Sequence, residues 1–191
     1  MIKLTNIFKS YDSNSVINNL SLTINDSEKI AIMGKSGCGK TTLLRIIANL
    51  EKIDSGSKEG YSTEDIAFVF QEPRLFSHLN VLENITIVSQ LPREQAKERA
   101  LTLLSNIGLA EFSNYYPDEL SGGMAQRVSI ARAMITDAPI LLLDEPFSAL
   151  DESTRLHMID ILRGYCESKT LIFVTHNHTD AEMLATRIVE L

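Results

Sequence analysis

The residues KIAIMGKSGCGKTTLLRII, positions 29–47, carry the strongest pattern in this sequence. They begin as a short apolar run, pass through a glycine-rich loop and continue with leucines and isoleucines at helical spacing. The loop, positions 34–41, matches G-x-x-x-x-G-K-[ST] in full, a pattern whose successive backbone N–H groups face one phosphate. Strand, loop and helix in this order predict a βα unit that binds a nucleotide.

Two side chains of the loop supply a charge and a metal ligand. Lys40 would bring a point charge to the outer phosphates, and the Thr41 hydroxyl can bind Mg²⁺. The dipole of the following helix adds positive potential at the same place. The alternative is a chance match in an ordinary glycine turn, which average glycine usage makes an event of about 1% in a chain of this length.

The composition is that of an acidic globular protein. The 191 residues are 44% hydrophobic and carry a formal net charge of −7, which argues against non-specific nucleic-acid binding. Cys38 and Cys166 lack metal-ligand spacing and indicate a reduced, intracellular setting. Residues 1–10 mix charged and apolar side chains, so no signal peptide is expected. No apolar run reaches the roughly 20 residues that a membrane span requires.

Strands and helices alternate along most of the chain. IKLTNI and LSLTI have the alternation of half-buried strands, whereas IAFVF, ILLL and TLIFV are typical of strands covered on both faces. The polar segment 54–60 is predicted to be a turn. We expect a single α/β domain over residues 1–191, in which residues 1–71 and 135–191 form the core lobe and residues 72–134 an inserted helical subdomain.

Polar side chains follow three of the buried strands. Asp144 and Glu145 follow ILLL, Gln71 follows IAFVF, and His176 follows LIFVT. The carboxyl ends of parallel strands share one edge, where open α/β sheets bind ligands. Asp144 could hold Mg²⁺ there and Glu145 could deprotonate a water that attacks a γ-phosphate, although two acids can also simply cap a helix. The other histidines are interpreted as solvated or structural, and these are His78, His157 and His178.

The order of motifs resembles the ATP-binding cassette (ABC) ATPases over nearly the whole chain. GKSGCGKTT resembles the Walker A loop, FQEP the glutamine loop, LSGGMAQR the family signature, LLLDEP Walker B, SALD the D-loop and VTH the switch histidine. The signature is seldom found outside this family, so the match is specific. The resemblance implies a P-loop NTPase fold with a mostly parallel sheet core, an N-terminal antiparallel β-layer and an inserted helical subdomain.

The resemblance also implies a role for each motif residue. Glu145 would be the general base and His176 the sensor of the γ-phosphate. ATP would contact the phosphate loop and a stacking aromatic, namely Ser36, Gly37, Cys38, Gly39, Lys40, Thr41, Thr42 and Tyr11. For Tyr11 the alternative is an ordinary surface tyrosine. Mg²⁺ would be bound by Thr41, Gln71 and Asp144.

The signature is a second glycine-rich helix start, and exposed N–H groups at such a start can bind an anion. It has no counterpart of Lys40. The resemblance implies that it closes on the ATP of another copy, through Ser121, Gly122, Gly123 and Met124. Asp151 would be the D-loop acid that reaches across this interface. Met124 stands where the family most often has glutamine, but the backbone N–H groups remain, so activity is expected.

The implied partners are a second ABC ATPase subunit, most simply in a homodimer, and an integral membrane permease. A substrate-binding protein can join such a system, and no nucleic-acid partner is expected. The chain would lie at the cytoplasmic face of the inner or plasma membrane, held by the permease. Two further expectations concern length. The short segment between Leu50 and Ile66 suggests a trimmed strand in the β-layer, and the end soon after His176 suggests no additional sensor domain.

Transport is the expected role, because family members in translation usually have two cassettes and those in DNA repair a long inserted coiled coil. QEPRL at positions 71–75 resembles the importers of nitrate, sulfonates and taurine. Those favour a Pro-Trp pair where this chain has Ser77 and His78, so no substrate is predicted. An ABC exporter, for example for lipoprotein release, and a non-transport ABC ATPase are the alternatives. A soluble P-loop kinase or a switch GTPase would leave LSGG unexplained.

Overall fold

The computed structural model describes residues 1–12 and 14–191. Its centre is a parallel five-stranded sheet with the strand order β5-β6-β7-β3-β8. The continuous apolar sequences of the three middle strands are buried on both faces, as the parallel arrangement requires. The strands are β3 (Lys29–Met33), β5 (Ile66–Val69), β6 (Ile140–Asp144), β7 (Thr170–Val174) and β8 (Arg187–Glu190).

Each face of this sheet contacts its own hydrophobic core. Along β6, Ile140 and Leu142 belong to one core, and Leu141 and Leu143 to the other. A one-residue slip of the strand would exchange the two sets, so the register is strongly specified. The first core is completed by α1 (Lys40–Ile47) and a second sheet. The other core is covered by α2 (Val81–Thr86), α3 (Arg93–Asn106), α4 (Gly122–Ile135), α5 (Glu152–Tyr165) and α6 (His178–Leu184).

The second sheet is the expected antiparallel β-layer. Its central strand β1 (Ile2–Tyr11) lies between β2 (Asn14–Ile24) and β4 (Ser55–Glu59). The turn predicted for residues 54–60 is therefore wrong, because most of this segment is the strand β4, five residues long. All side chains of β4 are exposed or half-buried, so the segment lacks the apolar alternation by which a sequence reveals a strand.

The helices between β5 and β6 form a group of their own. α2, α3 and α4 pack against one another, and α4 also contacts β5. α3 begins directly after Pro92 and ends before Gly108, two residue types that are typical of helix ends. The subdomain boundaries at residues 72 and 134 remain a prediction. Within residues 1–12 and 14–191, every helix is too short or too polar to cross a membrane.

Candidate active site

The phosphate loop connects β3 to α1 and depends on glycine at its end. Gly39, the residue before α1, has a φ of 102°. A Cβ at this position would lie 2.9 Å from Val16 Cγ1 on β2. Glycine is the residue that tolerates both this conformation and this close approach. The loop therefore leads directly into α1, whose first N–H groups are available to an anion.

Lys40 is enclosed by the loop that precedes it. Its Nζ donates hydrogen bonds to the carbonyl oxygens of Gly34 and Lys35, both at 2.9 Å, and only 9% of the residue is exposed. Cys38 Sγ lies 4.0 Å from the same ammonium. A cation held among backbone groups at a helix start is suited to meet anionic oxygen atoms.

Thr41 and Asp144 join α1 to the end of β6. Thr41 Oγ1 donates a hydrogen bond to Asp144 Oδ1 at 3.0 Å. Asp144 is 2% exposed. Burial raises the pKa of its carboxyl, and the hydrogen bond from Thr41 opposes that shift. A buried carboxylate beside a hydroxyl is suited to a hard cation with oxygen ligands.

The side chains around Thr41 and Asp144 are of the kind that Mg²⁺ takes as ligands. Among the described residues, no three His, Cys, Asp or Glu side chains cluster closely enough to hold a metal ion. Mg²⁺ usually takes one or two carboxylates and completes its shell with water and phosphate oxygens. Gln71, the third predicted ligand, lines the same cleft as Thr41. The residues present therefore fit Mg²⁺.

Glu145 and His176 meet because β6 and β7 are adjacent parallel strands. Glu145 N–H donates to Val174 O at 3.1 Å, and His176 Nδ1 lies 3.2 Å from Glu145 Oε2. Glu145 has a φ of 47°, a costly conformation for a residue with a Cβ and one that concentrates at functional sites. The His176 side chain is 70% exposed and that of Glu145 is 22% exposed, so a ligand can reach both.

These side chains line a cleft of about 550 Å³. Its lining consists of Tyr11, Val16, Gly34, Ser36, Gly37, Gly39, Lys40, Thr41, Thr42, Gln71, Glu145 and His176. The structure therefore brings together the predicted ATP contacts from both sheets and from the loops after β3, β5, β6 and β7. Cys38 and Asp144 contact lining residues instead of lining the cleft themselves. The sequence did not indicate Val16, which looks like an ordinary strand valine. Only its packing against Gly39 of the phosphate loop connects it to the cleft.

The signature residues line a different concavity, of about 400 Å³. Ser121 Oγ accepts a hydrogen bond from Met124 N at 3.2 Å and so caps α4. The lining is Ser121, Gly122, Gly123, Met124, Arg127, Ala149, Leu150, Asp151 and Thr154. Among the described residues, none lines both this concavity and the cleft that contains Lys40. The phosphate loop and the signature of this chain therefore lie in different concavities.

Asp151 lies in the signature concavity as the cap of α5. Its Oδ1 accepts hydrogen bonds from Thr154 N at 3.0 Å and from Ser153 Oγ at 2.7 Å. The backbone hydrogen bond from Thr154, followed by the two neighbouring hydroxyls, holds the pKa of this carboxyl well below its usual range. The carboxylate is therefore ionised and fixed. Its role across an interface remains a prediction.

The remaining histidines lie away from the cleft, in keeping with their interpretation as solvated or structural. His157 Nε2 lies 2.8 Å from Asn106 O. The rings of His78 and Phe76 make an edge-type contact, with 6.0 Å between their centroids. His178 is the first residue of α6.

Comparison with known proteins identifies the family. The sequence profile described as "ABC transporter" matches residues 17–148. The spermidine/putrescine import ATP-binding protein PotA of Haemophilus influenzae is 41% identical over 205 residues, covering 100% of this chain and 55% of that protein. The aliphatic sulfonates import ATP-binding protein SsuB 2 of Frankia alni is 42% identical over 185 residues, covering 96% of this chain and 74% of that protein. The chain thus spans about 55% of the PotA relative.

The fold is also found among solved structures. A dimeric ATP-binding cassette in a post-hydrolysis state, bound to ADP and Pi, superposes with a TM-score of 0.92 at 34% identity, covering 100% of this chain and 94% of that one. The predicted P-loop NTPase architecture, with its parallel core and antiparallel layer, is thereby confirmed. Because the family profile covers most of the chain and the motifs occur in the family's order, this chain belongs to the ABC transporter family.

Proposed function

We propose that this chain is the ATP-binding and ATP-hydrolysing subunit of an ABC importer. The observation that carries the proposal is the convergence of Lys40, Glu145 and His176 on one cleft, next to the bonded pair of Thr41 and Asp144. Relatives named as import ATP-binding proteins support import over export or a role outside transport. These relatives are named for different substrates, so no substrate is proposed.

ATP would bind along the cleft from the phosphate loop to Tyr11. Backbone N–H groups of residues 36–42 and the dipole of α1 would hold the phosphates. Lys40 would exchange the carbonyl oxygens of Gly34 and Lys35 for phosphate oxygens. Tyr11 is 40% exposed at the same cleft, and its ring would stack on adenine.

Thr41, Gln71 and Asp144 would hold Mg²⁺. When bound, the ion neutralises negative charge on the outer phosphates. Asp144 suits this role because burial disfavours its ionised form unless a positive group or a hydrogen-bond donor is near. Thr41 provides the donor in this structure.

Glu145 would act as the general base for hydrolysis. Its carboxylate faces the cleft and can accept a proton from a water that attacks the γ-phosphate. His176 lies 3.2 Å from the carboxylate, so its imidazole can orient Glu145 and contact the γ-phosphate. The surrounding structure keeps Glu145 in a strained backbone conformation, and such strain concentrates at functional sites.

The variant Glu145→Gln tests the proposal. ATP affinity should stay near wild type, because the phosphate loop is intact. Hydrolysis should fall by about a hundredfold or more, since the base is lost, and an ATP-bound dimer should accumulate. Calorimetry, phosphate release and size-exclusion chromatography measure these three quantities. Glu182→Gln, on an exposed position of α6, is the matched control. If Glu145→Gln hydrolysed ATP at the wild-type rate, the assignment of Glu145 as the general base would be wrong.

The complete site would form between two copies of the cassette. Because the signature concavity is separate from the cleft, Ser121, Gly122 and Gly123 would contact ATP bound to a partner, with Asp151 beside them. The related dimeric cassette supports such a pairing. ATP would favour the closed dimer, and hydrolysis with product release would reopen it.

The membrane permease would dock on the helical subdomain of residues 72–134. A groove of about 550 Å³ lies between α2 and α3. It includes the exposed side chains of Ile87 and Leu91, with Glu83 and Arg93 among the lining residues. An apolar groove with charged edges suits an amphipathic helix. Docking there would hold the chain at the cytoplasmic face of the membrane, and a substrate-binding protein would act at the other side.

A further inference from the structure

Lys9 is a buried cation next to the proposed adenine contact. It precedes Tyr11 by two positions on β1, so the two side chains lie on the same face of the strand. Only 8% of Lys9 is exposed, although lysine is almost never buried unless its charge is paired. The phosphate-binding machinery does not use it.

Three groups surround the ammonium of Lys9. Its Nζ lies 2.7 Å from Glu51 Oε1 and 3.8 Å from Asp54 Oδ1. It also lies 4.9 Å from the centroid of the Tyr11 ring, within the range of a cation–π interaction. The hydrogen bond with Glu51 raises the pKa of Lys9, so the side chain stays charged. The Tyr11 ring is therefore in contact with a fixed cation.

The carboxylates around Lys9 belong to the segment that follows α1. Asp54 N donates to Phe8 O at 2.9 Å, and Asp54 Oδ2 accepts from Ser10 N at 2.7 Å. These bonds tie the chain after α1 to the end of β1. Since α1 starts at the phosphate loop, Lys9 connects Tyr11 to the helix that also sets the position of the phosphates.

We propose that Lys9 is a positioning residue for the adenine base, whose ammonium, held by Glu51, keeps the Tyr11 ring in the orientation for stacking. This inference rests on the proposed role of Tyr11. A ring that is already ordered loses less conformational freedom when the base binds. The contribution of Lys9 therefore concerns the base and leaves phosphate binding unaffected.

The test compares ATP with inorganic tripolyphosphate, which has no base. Calorimetry in EDTA measures both affinities without hydrolysis. Lys9→Met, which removes the charge, should raise the Kd for ATP about threefold to tenfold and leave the Kd for tripolyphosphate unchanged. Lys9→Arg keeps a cation and should bind both ligands as wild type does. Lys3→Met, the same change at an exposed position of β1, is the matched control.

Tyr11→Ala separates the outcomes. In that background Lys9→Met should weaken ATP binding no further, because its effect passes through the ring. The inference would be overturned if Lys9→Met weakened ATP binding by the same factor in the Tyr11→Ala background as in the wild type. It would also be overturned if Lys9→Met weakened tripolyphosphate binding as much as ATP binding. If Lys9→Met bound ATP as tightly as the wild type while Tyr11→Ala bound it more weakly, only the role of Lys9 would be refuted. If Tyr11→Ala bound ATP as tightly as the wild type, the stacking role of Tyr11 in the proposed function would be refuted instead.

Glu51→Gln covers the case in which Lys9→Met does not fold. Without the charge of Glu51 the ammonium loses its closest partner, so ATP binding should weaken selectively in the same way. Unchanged ATP affinity in Glu51→Gln would also overturn the inference.

Discussion

At the scale of single residues, the burial of Asp144 makes the stability of the protein depend on pH. Its carboxyl is buried, and burial raises the pKa above the value of an unfolded chain. The native state therefore binds a proton at the Asp144 carboxyl more strongly than the unfolded state does. By linkage, the contribution of Asp144 to stability falls as pH rises from the unfolded pKa through the folded one. The Thr41 hydrogen bond reduces this loss, and a bound cation would reduce it further.

Thr41→Val removes that hydrogen bond and keeps the shape of the side chain. The free energy of unfolding should fall by about 2 kcal/mol near neutral pH, because a buried carboxylate loses its donor. The difference from wild type should shrink as pH falls below about 4, because the native Asp144 carboxyl then becomes protonated. Urea unfolding near neutral pH and below about pH 4 measures this difference in the free energy of unfolding. Thr41→Ser, which keeps the hydrogen-bond donor, is the control. An equal loss at both pH values would show that the carboxylate charge is not involved.

Most residues of the candidate site could be predicted because each belongs to a local pattern. The phosphate loop is continuous in sequence, and Asp144, Glu145 and His176 follow buried strands whose parallel arrangement collects them at one edge. Val16 and Lys9 could not be predicted. Val16 lines the cleft and packs on Gly39. Lys9 contacts the Tyr11 ring, and its charge is paired with carboxylates more than forty positions away. Such contacts leave no local pattern.

At the scale of elements, the connection between β5 and α2 is held by side chains of two helices. Arg132 of α4 donates from Nη1 to Arg74 O at 3.0 Å and from Nη2 to Pro73 O at 2.9 Å. Asn84 of α2, fully buried, accepts from Phe76 N at 2.8 Å and donates to Phe76 O at 3.1 Å. The backbone groups bonded here are satisfied without a strand or helix. The connection is thereby attached to the helix that begins at the signature.

Arg132→Lys should loosen this connection. Lysine keeps the charge but lacks the planar fork that reaches two carbonyl oxygens, so the free energy of unfolding should fall by about 1–2 kcal/mol. Amide hydrogen exchange at Phe76 and Leu79 should become faster. Arg93→Lys, on an exposed position of α3, should change neither quantity. Wild-type exchange in Arg132→Lys would indicate that Asn84 fixes the connection alone.

The elements differ in how far the sequence predicts them. α3 could be predicted closely because Pro92 and Gly108 flank it, and α5 because its apolar residues recur at helical spacing after the cap residue Asp151. β4 could not, because a polar edge strand is defined by pairing with β1, where Phe8 lies opposite Ser55. The hydrogen bonds of Arg132 were also unpredictable, since they join residues almost sixty positions apart.

At the scale of the whole molecule, the phosphate loop and the signature lie in different concavities. Lys40 and Glu145 line one, while Ser121 and Asp151 line the other. Gly123 packs so closely against the D-loop that a Cβ there would lie 2.9 Å from Ala149 O. The signature and D-loop thus form one surface. The sequence motifs predict both elements, but their separation depends on the path of the chain between them.

If each site needs both surfaces, two different defects should complement each other in mixed dimers. Ser121→Arg fills the signature concavity with a long cation and should retain ATP binding, whereas Lys40→Ala loses the phosphate contact. Each variant alone should be inactive. An equal mixture should recover about a quarter of wild-type activity, because random pairing makes half the dimers mixed and each has one complete site of two.

Phosphate release measured over a range of protein concentrations tests the same arrangement in the wild type, whose activity per chain should rise with concentration to a plateau. Ser121→Ala provides the control for loss of the α4 cap, which costs about 1 kcal/mol of stability without filling the concavity. Wild-type hydrolysis by Ser121→Arg, at a rate per chain that does not depend on concentration, would mean that a single chain contains the complete site.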